Sequence, residues 1–190
     1  GADAIGLQFY APSPRAVDVE AAAAICRALP PFVSTVALFV NEGAGVVRDV
    51  ISRVGPSLLQ FHGDEEPDYC TQFTMPYLRA VRVGAGMRAA DLLEFETRFA
   101  SARALLLDAH VEGIFGGTGH TFEWSLIPEA MRGRIVLSGG LVPENAGEAV
   151  RKVRPWAVDV SSGVELAGRK GVKDHAKITQ FIEAVKHADV

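Results

Sequence analysis

Short apolar runs alternate with longer segments of mixed polarity along the whole chain. Seven runs are rich in valine, isoleucine and leucine, which is typical of strands that helices cover on both faces. We expect strands at 4–9, 34–40, 58–62, 78–83, 104–109, 134–138 and 157–160. The segments between them have helical patterning, and we expect helices at 17–29, 45–54, 67–73, 89–99, 124–131, 144–153 and 174–187.

This alternation predicts an α/β fold with a parallel sheet and right-handed crossovers, in one domain over residues 1–190. A doubly wound open sheet and a (β/α)₈ TIM barrel both satisfy it. Polar or glycine-rich clusters follow six of the strands, at 13–15, 41–42, 62–65, 108–109, 139–140 and 161–163. A barrel gathers all such loops at one face, whereas an open sheet concentrates them at one switch point, so the barrel is favoured. The barrel needs eight strands, one more than the pattern provides.

Composition narrows the function classes. The net charge of -4 argues against nucleic-acid binding, and no apolar run approaches the length of about 20 residues that a membrane span needs. The two cysteines, Cys26 and Cys70, form no CxxC pair, which favours reduced thiols and a cytoplasmic location. The histidines offer no ligand spacing, so we expect no metal site.

The run ALLLDA at 104–109 places Asp108 at the end of a buried strand. A carboxyl group at the rim of a core is a candidate general acid. An aspartate that caps a helix or a turn is the equally ordinary alternative.

Three glycine-rich loops point to a phosphate ligand. The first contains Gly117, Thr118 and Gly119, and taken alone it is as consistent with a flexible loop. The other two follow the last two strands, where barrels commonly bind phosphate through backbone N–H groups. They contain Gly139, Gly140, Ser161, Ser162 and Gly163.

Three further polar residues are candidates for the same face. Arg15 follows the first strand and could clamp a carboxylate or phosphate, although a solvated surface charge explains it as well. His62 ends the third strand, where it could line a pocket or be structural. Asp159 is predicted inside the last strand, where a charge needs a partner and is either structural or part of the site.

Several stretches together resemble the phosphoribosylanthranilate isomerase family, whose members are (β/α)₈ barrels of tryptophan biosynthesis. They are GADAIGLQFYAPSPRAV, LFVNE, LLQFHGDE, LLLDA with GGTGHTFEW, LSGGLVPENAGEAV and VDVSSGVELAGRKGVKDHAKITQF, in order along most of the chain. The resemblance implies the Amadori rearrangement of N-(5-phosphoribosyl)anthranilate to the corresponding carboxyphenylamino-deoxyribulose phosphate. It implies no cofactor, because the substrate nitrogen serves as the electron sink.

The resemblance also assigns roles. Asp108 matches the general acid, Arg15 the arginine that contacts the anthranilate group, and the loops at 117–119, 139–140 and 161–163 the phosphate cradle. The family's general base is a cysteine in a Lys-x-Cys-Gly motif on its first strand, and no such motif occurs here. Because a GADAIG-like stretch begins the family's second strand, we expect the first strand and helix to be absent from this sequence. We therefore expect the 190 residues alone to be inactive.

Two rival interpretations remain. One is another aminoaldose–ketose isomerase barrel for phosphosugars, of the histidine pathway or with two substrates, and the other is an inactive phosphate-binding fragment. For partners we expect a phosphorylated small molecule, and either a monomer or a homodimer that could associate through edge strands.

Overall fold

The computed structural model describes residues 1–109 and 122–188. Seven strands form within these residues, as the apolar pattern predicted. They are β1 (Ala4–Gln8), β2 (Ser34–Phe39), β3 (Leu58–Phe61), β4 (Tyr77–Val83), β5 (Ala104–Ala109), β6 (Ile135–Leu137) and β7 (Ala157–Val158).

The strands are hydrogen-bonded in sequence order, β1 to β7. Pairing is parallel between β1 and β2, β2 and β3, β3 and β4, β5 and β6, and β6 and β7. Parallel neighbours end at the same edge of a sheet, so the loops that follow paired strands start side by side. This confirms the predicted parallel α/β organisation.

Six helices connect and cover the strands of the described chain. They are α1 (Val19–Ala28), α2 (Ala44–Val54), α3 (Pro67–Thr71), α4 (Ala89–Arg98), α5 (Pro143–Val153) and α6 (His175–Ala188). Local chemistry sets several of their ends. The Asp18 side chain accepts a hydrogen bond from the Ala21 N–H at the start of α1, proline opens α5, and Gly55 ends α2 in a left-handed conformation.

Some predicted boundaries were wrong. The helix expected at 124–131 is two 3₁₀ turns, Trp124–Leu126 and Glu129–Met131, because Pro128 between them lacks the N–H that a continuous helix needs. The last strand ends at Val158 rather than at residue 160, and β3 ends at Phe61, one residue before His62.

The chain divides into two compact units. The N-terminal unit comprises Ala2–Arg79 and Ser101–Arg103, and the C-terminal unit comprises Gly1, Ala80–Ala100 and Ala104–Val190. In the N-terminal unit, β1 to β3 pair side by side, and an aromatic cluster of Phe39, Phe61 and Tyr77 is fully buried.

In the C-terminal unit, β5 and β6 bury their leucine and isoleucine side chains, and α5 packs against α6. The two helices approach closely at Gly147, where a side-chain Cβ would lie 3.3 Å from the carbonyl oxygen of Ala184. Among the described helices of both units, none combines the length and apolarity that crossing a membrane requires.

Candidate active site

Asp108 is the fifth residue of β5 and only 3% exposed. Three buried leucines precede it, so the strand carries the carboxylate to the edge of the core. This placement confirms the predicted burial of the side chain.

Gly139 and Gly140 form the turn directly after β6, and this turn packs against Asp108. Both glycines have positive φ angles, 82° and 65°. A Cβ on Gly139 would overlap the backbone nitrogen of Ala109 and lie 2.9 Å from Oδ1 of Asp108. The turn therefore requires glycine for its conformation and for its close approach to the carboxylate.

Asp159 lies after β7 and not inside it, which corrects the sequence prediction. Its side chain is exposed, and its Oδ2 accepts a hydrogen bond of 3.0 Å from the hydroxyl of Ser138. The expected need for a partner is thus met by the residue that precedes the Gly139–Gly140 turn.

Ser161 precedes a short 3₁₀ turn, Ser162–Val164, which contains Gly163. A Cβ on Gly163 would overlap the carbonyl oxygen of Leu141, so the loop after β7 lies directly on the loop after β6. The structure brings these two predicted phosphate loops together in the C-terminal unit.

Lys173 supports this arrangement and was not singled out from the sequence. Its ammonium donates to the carbonyl of Ser161 at 2.7 Å and lies 3.3 Å from Oε1 of Glu165. In a trans peptide the C=O and the following N–H point in opposite directions, so the N–H of Ser162 faces away from Lys173. No local sequence pattern indicates a role for Lys173. Its place in the family-like stretch VDVSSGVELAGRKGVKDHAKITQF is the one signal that could have done so.

A cavity of about 600 Å³ lies beside the end of β5. Its lining is mostly apolar and includes Val83, Met87, Ala109, Phe122 and Leu126. Ala109 contributes to this lining, whereas Asp108, whose side chain points to the opposite face of β5, does not.

Arg15 and His62 belong to the N-terminal unit. Arg15 is half-buried in the loop after β1, and its backbone N–H donates to the hydroxyl of Ser13 at 3.2 Å. His62 is 7% exposed, directly after β3, and its Nδ1 lies 3.1 Å from Nε2 of Gln60. Both follow strands, as predicted.

The predicted residues Gly117, Thr118 and Gly119 lie outside the described residues. No cluster of three or more histidine, cysteine, aspartate or glutamate side chains within 1–109 and 122–188 is arranged to hold a metal ion.

The two cysteines lie in helices, as expected, and neither forms a disulfide. Cys70 in α3 is fully buried, and burial raises the pKa of its thiol to about 12. A thiol that stays protonated cannot accept a proton, so Cys70 is unsuited to act as a base. Cys26 is partly exposed on α1.

The chain matches known proteins over nearly its whole length. The family model described as N-(5'-phosphoribosyl)anthranilate (PRA) isomerase matches residues 1–184. An N-(5'-phosphoribosyl)anthranilate isomerase of Dechloromonas aromatica is 56% identical over 189 residues, which are 100% of this chain and 88% of that protein.

Solved structures agree with the sequence match. The crystal structure of phosphoribosyl anthranilate isomerase from Thermotoga maritima has a TM-score of 0.84 and 40% identity, covering 98% of this chain and 89% of that one. A structure of such an isomerase in complex with reduced 1-(o-carboxyphenylamino)-1-deoxyribulose 5-phosphate has a TM-score of 0.82 and 38% identity, with the same coverage.

Proposed function

The chain belongs to the N-(5'-phosphoribosyl)anthranilate isomerase family, and we propose that it contributes the acid and the binding groups for this Amadori rearrangement. The reaction converts N-(5-phosphoribosyl)anthranilate to 1-(2-carboxyphenylamino)-1-deoxyribulose 5-phosphate in tryptophan biosynthesis. The family match over residues 1–184 carries the proposal. The buried carboxylate beside a glycine turn is what the reaction needs from this part of the site.

Asp108 is the general acid of this proposal. It gives its proton to the ring oxygen of the ribose, the C1–O bond breaks, and the anthranilate nitrogen forms a Schiff base with C1. A base then removes the proton from C2, which gives an enolamine that tautomerises to the ketone. The acid supplies about 10²- to 10⁴-fold of the rate, as positioned proton donors typically do.

The phosphate group binds between the loops after β6 and β7. Gly139, Gly140 and Gly163 offer backbone N–H groups that no side chain of their own covers, Ser161 and Ser162 add their N–H groups, and Lys173 orients the peptide at Ser161. Gly117, Thr118 and Gly119 complete this cradle in the proposal. Asp159 lies at its edge, held by Ser138.

Arg15 and His62 bind the other part of the substrate. A guanidinium group matches a carboxylate in charge and in geometry, and anthranilate carries one. His62 lines the same region in this proposal, since it follows β3 as Arg15 follows β1.

We extend the proposal to the assembly of the molecule. In this proposal the seven parallel strands belong to one (β/α)₈ barrel domain. The protein acts in the cytoplasm, as its two free thiols suggest, and is a monomer or homodimer, which sedimentation equilibrium would decide.

The 190-residue polypeptide alone does not turn over substrate in this proposal. The reaction needs a base for the C2 proton, and the sequence contains no Lys-x-Cys-Gly motif. Cys70 is excluded as the base by its burial and raised pKa, and Cys26 lies on a covering helix.

Binding of the reduced product analogue tests the proposal without needing turnover. We expect calorimetry to show saturable binding of reduced 1-(o-carboxyphenylamino)-1-deoxyribulose 5-phosphate to the 190-residue chain. Arg15→Met should weaken it about tenfold or more, because a charged hydrogen bond is lost. The control Arg53→Met removes an exposed arginine on α2 that pairs with Glu20 and Asp49. It should leave the affinity for the analogue unchanged. A folded chain that does not bind the analogue would contradict the proposal.

A further inference from the structure

Arg79 and Glu65 form a buried ion pair in the N-terminal unit. Their side chains are 7% and 3% exposed, and Nη1 of Arg79 lies 3.3 Å from Oε2 of Glu65. Removing two charges from water costs several kcal/mol per ion, and apolar side chains of similar size often stabilise a core as well or better. We therefore expect the ion pair to have a role that apolar side chains could not perform.

The two side chains hold the backbone on both sides of His62. Arg79 donates from Nη1 to the carbonyl of Phe61 at 2.8 Å and from Nη2 to the carbonyl of Gly63 at 2.9 Å. Glu65 accepts the N–H of Gly63 through Oε2 at 2.9 Å. Three backbone groups that flank His62 are thus fixed by one charged pair.

Glu65 also joins its own loop, which follows β3, to the loop after β2. Its Oε1 accepts the N–H of Asn41 at 2.7 Å, and the Asn41 side chain in turn accepts the N–H of Asp64 at 2.6 Å. A Cβ on Gly63 would overlap the side chain of Asn41, so the two loops pack without a gap. We call the ion pair with these hydrogen bonds the Arg79–Glu65 clamp. The clamp connects β4 with the loops after β2 and β3.

His62 itself is held at its backbone and its ring. Its N–H donates to the carbonyl of Phe39 at 2.9 Å. Its ring nitrogen Nδ1 lies 3.1 Å from Nε2 of the Gln60 side chain, within hydrogen-bond distance.

We propose that Arg79 and Glu65 are positioning residues that hold His62 in one orientation for substrate binding. The inference rests on the proposed function, because His62 is assigned to the substrate there. Neither Arg79 nor Glu65 touches the ligand in this account, and both act through the peptide groups next to His62.

Arg79→Lys separates this role from a structural one. A lysine keeps the positive charge beside Glu65, so the fold should survive with a similar melting temperature. A single ammonium group lacks the planar fork that reaches two carbonyls at once, so the clamp should loosen. Glu65→Gln is the second variant, because an amide has one acceptor oxygen where the carboxylate has two.

The readout is the ¹⁵N NMR signature of the His62 ring in the ligand-free 190-residue chain, assigned by comparison with His62→Gln. In the parent chain we expect one set of signals, because the ring is held in one orientation. In Arg79→Lys or Glu65→Gln we expect shifted or doubled signals, and affinity for the reduced product analogue should fall about fivefold or more. The exposed-site control Arg53→Met should leave both readouts unchanged.

Three results would overturn the inference. They are unchanged His62 signals in both folded variants, unchanged analogue affinity in both when the parent chain binds, or failure of both variants to fold, which would make the pair structural. A folded parent chain that does not bind the analogue contradicts the proposed function instead, and the ligand-free NMR comparison still decides the role of the pair.

Discussion

Burial decides the chemistry of Cys70. The thiol has no exposed surface in α3, and its pKa rises from the ordinary value of 9.0 to about 12 because the thiolate would be poorly solvated there. A residue that sequence alone could assign to catalysis, redox chemistry or packing is therefore a packing residue.

The raised pKa of Cys70 predicts a loss of stability in alkali. Between pH 9 and pH 12 the unfolded thiol ionises while the folded thiol stays protonated, so the folded state binds more protons. Stability is therefore retained below pH 9 and falls as pH rises, by up to about 1.4 kcal/mol per pH unit from this group.

Urea unfolding at several pH values measures this slope. Tyr69 and Tyr77 also have raised pKa values from burial and add to the decline, so the informative quantity is the difference between the parent chain and Cys70→Ala. We expect the variant to lose less stability between pH 9 and pH 11. Equal slopes would show that Cys70 does not contribute.

Single residues also show what sequence could indicate about the site. Asp108 could be placed because three leucines mark its strand, and its burial is confirmed. Arg79 could not be placed, because its partners lie 14 to 18 positions away and only the paired loops bring them together. Local patterns carry no signal for such long-range contacts.

At the scale of elements, close contacts without side chains join the loops after β6 and β7. Gly163, in the loop after β7, lies on the carbonyl of Leu141, in the loop after β6. The loop after β6 in turn contacts β5, where Gly139 lies against Asp108. The candidate phosphate site depends on these contacts because the loops, rather than a helix or strand, present its backbone N–H groups.

Gly163→Ala should separate the two loops. The added methyl group overlaps a backbone oxygen that cannot rotate away, and overpacking of this kind costs about 1–3 kcal/mol. We expect urea unfolding to show that loss, and calorimetry to show weaker binding of the product analogue.

Gly45→Ala is the matched control. Gly45 lies in the first turn of α2 with no atom within 4 Å of an added Cβ, and alanine favours helix by up to about 1 kcal/mol. The same chemical change should therefore stabilise the chain there without affecting analogue binding. Equal effects at both positions would contradict the packing argument.

The positions of most strands and helices could be predicted from the sequence. Apolar runs located all seven strands of the described residues, since the strands that are buried on both faces are mostly apolar. Ends were less predictable, as the loss of helix at 124–131 and the early end of β7 show. The boundaries of helices and strands depend on capping and tertiary contacts, which hydrophobic periodicity does not report.

At the scale of the whole molecule, the proposed groups for acid catalysis and phosphate binding belong to the C-terminal unit. Arg15, His62 and the Arg79–Glu65 clamp belong to the N-terminal unit. The proposed function needs both sets and also a base for the C2 proton. Adding a strand and helix that carry a Lys-x-Cys-Gly motif ahead of residue 1 gives a polypeptide, the extended chain, that tests whether such a motif can supply this base.

Turnover of N-(5-phosphoribosyl)anthranilate by the extended chain, followed by anthranilate fluorescence, decides whether these residues perform the proposed isomerisation. We expect conversion by the extended chain, none by the 190 residues alone, and a fall of about 10²- to 10⁴-fold in kcat for Asp108→Asn in the extended chain. An extended chain that binds the product analogue but does not convert the substrate, or an Asp108→Asn variant with undiminished kcat, would contradict the account.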